Sequence, residues 1–256
     1  MSFPNIILLL LVAIVGGTLN SVAGGGSFFT FPALIFTRVP PIAANATSTV
    51  ALWPGSVASV GAYRRELSTL DRRLLVVMTV TSLIGGLLGA ILLLKTPASI
   101  FEFLLPYLLL TATLLFAGSG FVSKKLKARH LEKSSITIAQ LVWISIAQLI
   151  IAVYGGYFGG GIGILMLATL ALMGLDNIHS MNALKTLLAS CINGVAVVTF
   201  IIAGAVYWPQ TLLMIVGAII GGYGGAYYAR KIDQKWVRLF VIIIGFAMTL
   251  YFFIKP

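Results

Sequence analysis

Two short stretches of this chain carry residue types that can do chemistry inside an otherwise apolar sequence. The first is NSVAGGGSFFTFP, Asn20 to Pro32, in which Gly24, Gly25 and Gly26 stand in a row ahead of Ser27. It returns as Phe158-Gly159-Gly160-Gly161. Adjacent glycines suit backbone shape better than a packing ridge. A helix that starts just after Gly26, or after Gly161, presents unpaired N–H groups and the positive end of its dipole. Without a Cβ in the way, an anion can reach those groups, as phosphate does at other helix N-termini. Ser27 adds a hydroxyl donor at the first tip, whereas its counterpart Ile162 adds none.

The second stretch is Asn45-Ala46-Thr47-Ser48-Thr49, copied as Asn182-Ala183-Leu184-Lys185-Thr186. On a helix Asn45, Ser48 and Thr49 fall at i, i+3 and i+4 and share one face, and Asn182, Lys185 and Thr186 repeat that face. Lys185 is the one charge well inside an apolar span, about eight residues or ~12 Å from its start. An intramembrane lysine is costly and normally faces a cavity, with snorkelling to the interface as the alternative. A lysine, amide donors and two helix N-termini together describe an oxyanion site.

No carboxylate stands beside these residues as a proton relay. Glu66, Asp71, Glu132 and Asp233 lie among basic loop residues, and Glu102 and Asp176 sit at span ends. An anion leaving a negative-inside cell already gains ~2.3 kcal/mol per charge per 100 mV, so export driven by membrane potential is physically sufficient. Coupling through Lys185 or Tyr154 stays open. The chain also lacks a histidine–carboxylate cluster and metal-ligand spacing, and the glycine run lacks the Lys-Ser/Thr of a phosphate-binding loop. No enzyme, cofactor or metal is expected.

The elements that must position these residues are membrane helices. The chain of 256 residues is 59% hydrophobic and only 9% charged, against about 25% charged in soluble domains, with a mean hydropathy of +1.06. Apolar runs near the ~20 residues that cross a bilayer recur from end to end. The fold class is therefore an all-α polytopic membrane protein. The excess of 17 Lys and Arg over 6 Asp and Glu then reflects basic cytoplasmic loops rather than nucleic-acid binding. Met1 to Asn5 carries no Lys or Arg, and the glycine motif recurs in mid-chain, so the first span is expected to belong to the mature fold rather than to a cleaved signal peptide. Cys191 is the only cysteine, which excludes a disulfide framework.

The landmarks repeat in order, with an offset of about 136 residues, as in Gly85-Gly86 and Gly221-Gly222. Repeat 1 covers 1–122, with a glycine-broken unit at 4–36 and spans at 42–62, 70–94 and 99–121. A basic linker occupies 123–135. Repeat 2 covers 136–256, with a unit at 136–175 and spans at 177–203, 209–229 and 236–254.

Basic residues collect in loops 63–73, 123–135 and 230–238; of the 17 Lys and Arg only Arg38, Lys95, Lys185 and Lys255 lie elsewhere. All three loops become cytoplasmic only if each glycine-broken unit enters and leaves on one side. Each repeat then has an odd number of crossings, the repeats are inverted, and both termini face the periplasm or exterior. The hairpin tips would meet near the midplane, where inverted-repeat transporters commonly place substrate. Whether the 4–36 and 136–175 units cross fully or only re-enter stays open, because 4–23 is long enough to span.

The stretches NSVAGGGSFFTFPALI and PPIAANATSTVAL, with GGYFGGGIGILMLATLALMG and HSMNALKTLLASCINGV in the second half, resemble the TauE/SafE family of membrane permeases. The resemblance spans essentially the whole chain. It implies movement of sulfite, sulfoacetate or related organosulfur anions across a bacterial inner membrane, often outward. Carried onto matching positions, it implies substrate contacts at Gly24, Gly25, Gly26, Ser27, Asn45, Ser48, Gly159, Gly160, Gly161, Asn182 and Lys185; Thr49 and Thr186 share their helical faces. The expected partners are a small anionic substrate and the lipid bilayer, with a homo-oligomer left open. The expected mechanism is alternating access around a midplane anion site. A passive anion channel and a non-transporting scaffold or assembly factor are the alternatives.

Overall fold

The computed structural model describes residues 1–22, 26–127, 138–172, 178–228 and 234–254, and among them there are helices and connecting turns without a strand. In chain order the helices are α1 (Phe3–Val22), α2 (Ser27–Phe36), α3 (Pro41–Ala62), α4 (Arg64–Ser68), α5 (Arg72–Lys95) and α6 (Ala98–Lys127). They continue with α7 (Ile138–Tyr157), α8 (Ile162–Leu172), α9 (Ile178–Ile202), α10 (Trp208–Tyr228) and α11 (Gln234–Ile254).

Local chemistry sets several of these bounds. Pro41 opens α3, where a missing N–H costs nothing. Asp71 caps α5 by accepting from Arg73 N at 2.7 Å and Leu74 N at 3.0 Å. Gly204, at φ 66°, turns the chain out of α9.

Five described helices are long and apolar enough to cross a bilayer: Phe3–Asn20, Arg72–Lys95, Ala98–Gly118, Gln140–Tyr157 and His179–Ile202. The protein is thus an all-α, multi-pass membrane protein. Large apolar side chains such as Leu88, Leu92, Ile150, Ile219 and Ile220 stay exposed on the outside of the bundle, as a lipid solvent requires. Helices α2 and α8 have 10 and 11 residues, about 15–17 Å at 1.5 Å per residue, or roughly half the hydrocarbon thickness. Helix α3 is 22 residues long but is not among the strongly apolar helices. Its Asn45, Thr47 and Ser48 are buried, because α1, α2, α6, α9 and α10 surround it.

The packing partners form a regular set. α1 lies along α10 and α7 along α5; α5 also packs on α9, and α10 on α3. α2 touches α11, and α8 touches α6; α3 crosses α9, and α6 packs on α11. Exchanging α1 with α7, α2 with α8, α3 with α9, α5 with α10 and α6 with α11 leaves this set of contacts unchanged. The two long pairs approach through small residues. A Cβ on Gly156 would collide with the Gly86 backbone, and one on Gly221 with the Ile14 carbonyl.

The interior divides into two buried clusters. One joins Phe28, Phe31, Phe101, Leu105, Phe158 and Phe200 with parts of α1, α3, α10 and α11. The other is smaller and joins Leu74 and Met78 of α5, Ile151 and Ala152 of α7, Met166 of α8 and Leu184, Leu188 and Ile192 of α9. Tyr154 packs against both.

Candidate functional site

Each glycine tip opens a half-length helix, and the two are finished differently. Gly24 and Gly25 lie outside the described residues, so the first tip is seen as Gly26 and Ser27. Gly26 is buried against the Gly16 backbone, and its carbonyl accepts from Thr30 Oγ1 at 3.2 Å. Thr30 and Ser48 share a hydrogen bond of 2.6 Å between their hydroxyls, which ties α2 to α3. Thr30 is 0% and Ser48 1% exposed.

The second tip is a glycine turn. The carbonyl of Tyr154 accepts from Phe158 N at 2.9 Å and from Gly159 N at 3.3 Å, ending α7. Gly159 and Gly161 take left-handed φ values of 79° and 75° on either side of Gly160, which is why a side chain is unwelcome at these two positions. Helix α8 then starts at Ile162. Ile164 N turns back to Gly161 O at 3.1 Å, leaving the N–H groups of Ile162 and Gly163 ahead of it at the positive end of the helix.

The tips come together. Ser27, Phe28, Phe31 and Asn45 of the first half line one cavity with Leu109 and with Phe158 and Gly160 of the second tip. Its volume is ≈ 10 Å³, room for about one water. Asn45 is 4% exposed, and its Nδ2 donates to the Tyr157 carbonyl at 3.0 Å, capping the end of α7. The rings of Phe31 and Phe158 meet edge to face at 5.8 Å.

Lys185 and Asn182 occupy a different place, in the groove between α8 and α9. Lys185 Nζ donates to Asn182 Oδ1 at 3.1 Å. The lysine stalk runs over Gly163, where an added Cβ would sit 3.2 Å from Lys185 Cδ. Gly163 is the second residue of α8. A cationic side chain therefore lies across the positive end of a helix, two like-signed features that an anion between them would neutralise. Both Asn182 and Lys185 are partly exposed.

Thus Gly26, Ser27, Asn45, Ser48 and Gly160 gather at the tips, while Asn182 and Lys185 do not line that cavity. Gly159 and Gly161 shape the second turn. Thr49 is spent on its own helix, donating to the Asn45 carbonyl at 2.9 Å, and Thr186 is partly exposed on the Lys185 face of α9. Among the described residues no group of three or more His, Cys, Asp or Glu gathers that could hold a metal ion.

Four residues escaped the sequence reading. Thr30 locks Ser48, and Gly163 underlies Lys185. Asn193 brings its Oδ1 within 4.0 Å of the Cβ position of Gly159. Trp53 Nε1 donates to the Ser190 carbonyl at 3.0 Å, joining α3 to α9. Asn193 and Trp53 each lie eight residues beyond Lys185 and Asn45, so extending the two polar stripes by two helical turns would have found them. Nothing local marks Thr30 or Gly163.

A bundle of lipid-facing helices around a buried polar centre, with two half-length helices starting inside it, defines a multi-pass helical membrane protein of the transporter type. Residues 9–252 match the family described as Sulfite exporter TauE/SafE, and the chain belongs to that family of membrane transporters.

Its relatives agree. A "Probable membrane transporter protein" of Haemophilus influenzae is 26% identical over 243 residues, covering 94% of this chain and 92% of the relative. The "Probable membrane transporter protein YfcA" of Escherichia coli K12 is 29% identical over 244 residues, covering 94% and 87%. A "Probable membrane transporter protein ORF9" of a Sinorhizobium species is 27% identical over 259 residues, covering 100% and 95%. No solved structure matches the chain.

Proposed function

We propose that this transporter moves small sulfur-containing oxyanions, such as sulfite or an organosulfonate, out of the cell across a bacterial inner membrane. The observation that carries the reading is Lys185, held by Asn182 against the N-terminal turn of α8. The lysine charge, the Asn182 amide and the first turn of α8 lie side by side there, a combination that suits a tetrahedral or pyramidal oxyanion. The sulfur chemistry and the outward direction come from the family description, not from the shape of the site.

The mechanism proposed is alternating access between two inverted repeats, 1–122 and 136–256. The exchange-invariant helix contacts support a pseudo-two-fold relation, and the basic loops 63–73, 123–135 and 230–238 support placing them together in the cytoplasm with both termini outside. The cavity of ≈ 10 Å³ between the tips is too small for an oxyanion in this state. Passage through the tips then requires movement, which favours a carrier over an open channel. The glycine tips, Ser27, Asn45 and Ser48 would contact the anion once they part.

The test is thermal unfolding of the purified protein in detergent with sulfite, methanesulfonate, sulfate, phosphate and chloride. A site for sulfur oxyanions raises the melting temperature with ligand concentration for sulfite or the sulfonate and not for chloride. Equal shifts with every salt would overturn the substrate assignment.

A further inference from the structure

The two copies of the polar stripe are not in the same state. Under the offset that superposes Asn45 on Asn182, Ser48 falls on Lys185 and Leu52 on Ala189. Asn45, Ser48 and Leu52 are 4%, 1% and 6% exposed, whereas Asn182, Lys185 and Ala189 are all partly exposed. One copy of the stripe is buried, and the other is partly exposed.

The buried copy is held by a set of named bonds. Ser48 is held by Thr30 at 2.6 Å, Asn45 by the Tyr157 carbonyl at 3.0 Å, and Thr47 Oγ1 accepts from Tyr207 N at 3.1 Å. Together they fasten α3 to α2, to the end of α7 and to the turn before α10, with Phe31 and Phe158 packed edge to face beside them. The second half repeats Asn45 as Asn182 but lacks the matching hydroxyls. Thr47 corresponds to Leu184, and the Thr30 position falls within Leu165-Met166-Leu167. The imbalance is therefore written in the sequence.

We infer that Thr30–Ser48 and Asn45–Tyr157 form a one-sided polar latch that closes the first half-path and so holds the resting transporter open at Lys185. This rests on the inverted-repeat, alternating-access reading above. With the basic loops inside, α3 enters at its Pro41 end from the outer face and α9 at its Ile178 end from the cytoplasmic face. The latched state is then inward-facing, and export requires the latch to break after the anion binds. A latch of hydroxyls and amides suits that duty, since each bond contributes little net stability yet excludes water while closed.

The test is side-specific thiol labelling of the full chain in a Cys191→Ser background, with reporters at the equivalent positions, Leu52→Cys and Ala189→Cys. A membrane-impermeant maleimide is applied to whole cells and to inverted membrane vesicles. With the latch intact, the Ala189→Cys protein reacts from the cytoplasmic face and the Leu52→Cys protein is protected. Thr30→Val with Ser48→Ala removes both partners of the latch bond, and with it the Thr30 bond to the Gly26 carbonyl. That carbonyl still accepts from Phe29 N and Thr30 N, shape is kept, and the change is close to neutral for folding. It should raise Leu52→Cys labelling from the outer face about fivefold, the loss of one hydrogen bond, and lower Ala189→Cys labelling from the inner face. Asn45→Ala should act in the same direction. Unchanged labelling at both reporters in both latch variants would overturn the latch, as would protection of Ala189→Cys from the cytoplasmic face when the latch is intact. Labelling that shifts without any sulfite flux would sink the substrate reading alone, and sulfite flux without a shift would sink the latch alone.

Discussion

Lys185 Nζ donates to Asn182 Oδ1 at 3.1 Å while its methylenes cross Gly163, so one turn of α9 holds a cation over the first turn of α8. The arrangement depends on a missing side chain. A Cβ at residue 163 would sit 3.2 Å from Lys185 Cδ, so even a small side chain there would push on the lysine stalk.

Gly163 therefore supplies the first prediction. Gly163→Val should raise the half-saturating anion concentration for transport about tenfold, the scale of one lost charge-assisted bond, with little change in the amount of folded protein. Concentration-dependent flux in reconstituted vesicles, with expression measured alongside, checks this. An unchanged half-saturation would detach α8 from the site.

The glycines of the helix crossings should behave differently. Gly156→Ala places a Cβ against the Gly86 backbone and should destabilise the protein by about 1–3 kcal/mol through overpacking. Gly118 has nothing within 4 Å of its Cβ position, so Gly118→Ala should be neutral or stabilise α6 by up to about 1 kcal/mol. Thermal unfolding in one detergent ranks the pair.

Asn45 and Thr49 share a helical face but not a role. Asn45→Ala leaves the Tyr157 carbonyl unpaired in a buried place and should cost about 1–3 kcal/mol. Thr49→Val loses only a bond to its own helix and should stay within ~0.5 kcal/mol. Melting temperatures of the two variants, read against wild type, decide the matter.

Topology gives a fourth prediction, again in the Cys191→Ser background. A cysteine replacing Pro209, at the start of α10, should react with an impermeant maleimide from outside the cell. One replacing Ser68, in the basic loop 63–73, should react only in inverted vesicles. Reaction of both from the same face would remove the inverted arrangement.

The sequence made the tips and the stripes legible because each occurs twice. Adjacent glycines inside an apolar run announce a backbone break, and Asn45 marks a buried face of α3. Repetition also hid something. Superposing the halves treats Ser48 and Lys185 as equivalents, yet Ser48 is closed off by Thr30, which has no hydroxyl counterpart among Leu165, Met166 and Leu167. That partnership is tertiary and leaves no local trace. The same is true of Gly163, which no motif distinguishes from the glycines beside it and which matters only because α9 folds back over it. Helix α3 shows the opposite case. Its polar residues lower its apolarity as a span, and they are affordable because other helices, rather than lipid, surround it.

Flux of radiolabelled sulfite into inverted membrane vesicles tests the central claim, that Lys185 at the α8 N-terminus holds the transported anion. Wild type should show saturable uptake driven by an inside-positive potential. Lys185→Ala should fall to the level of empty vesicles with the protein still folded by thermal unfolding, and Lys185→Arg should retain part of the flux. Wild-type flux in Lys185→Ala would contradict the account.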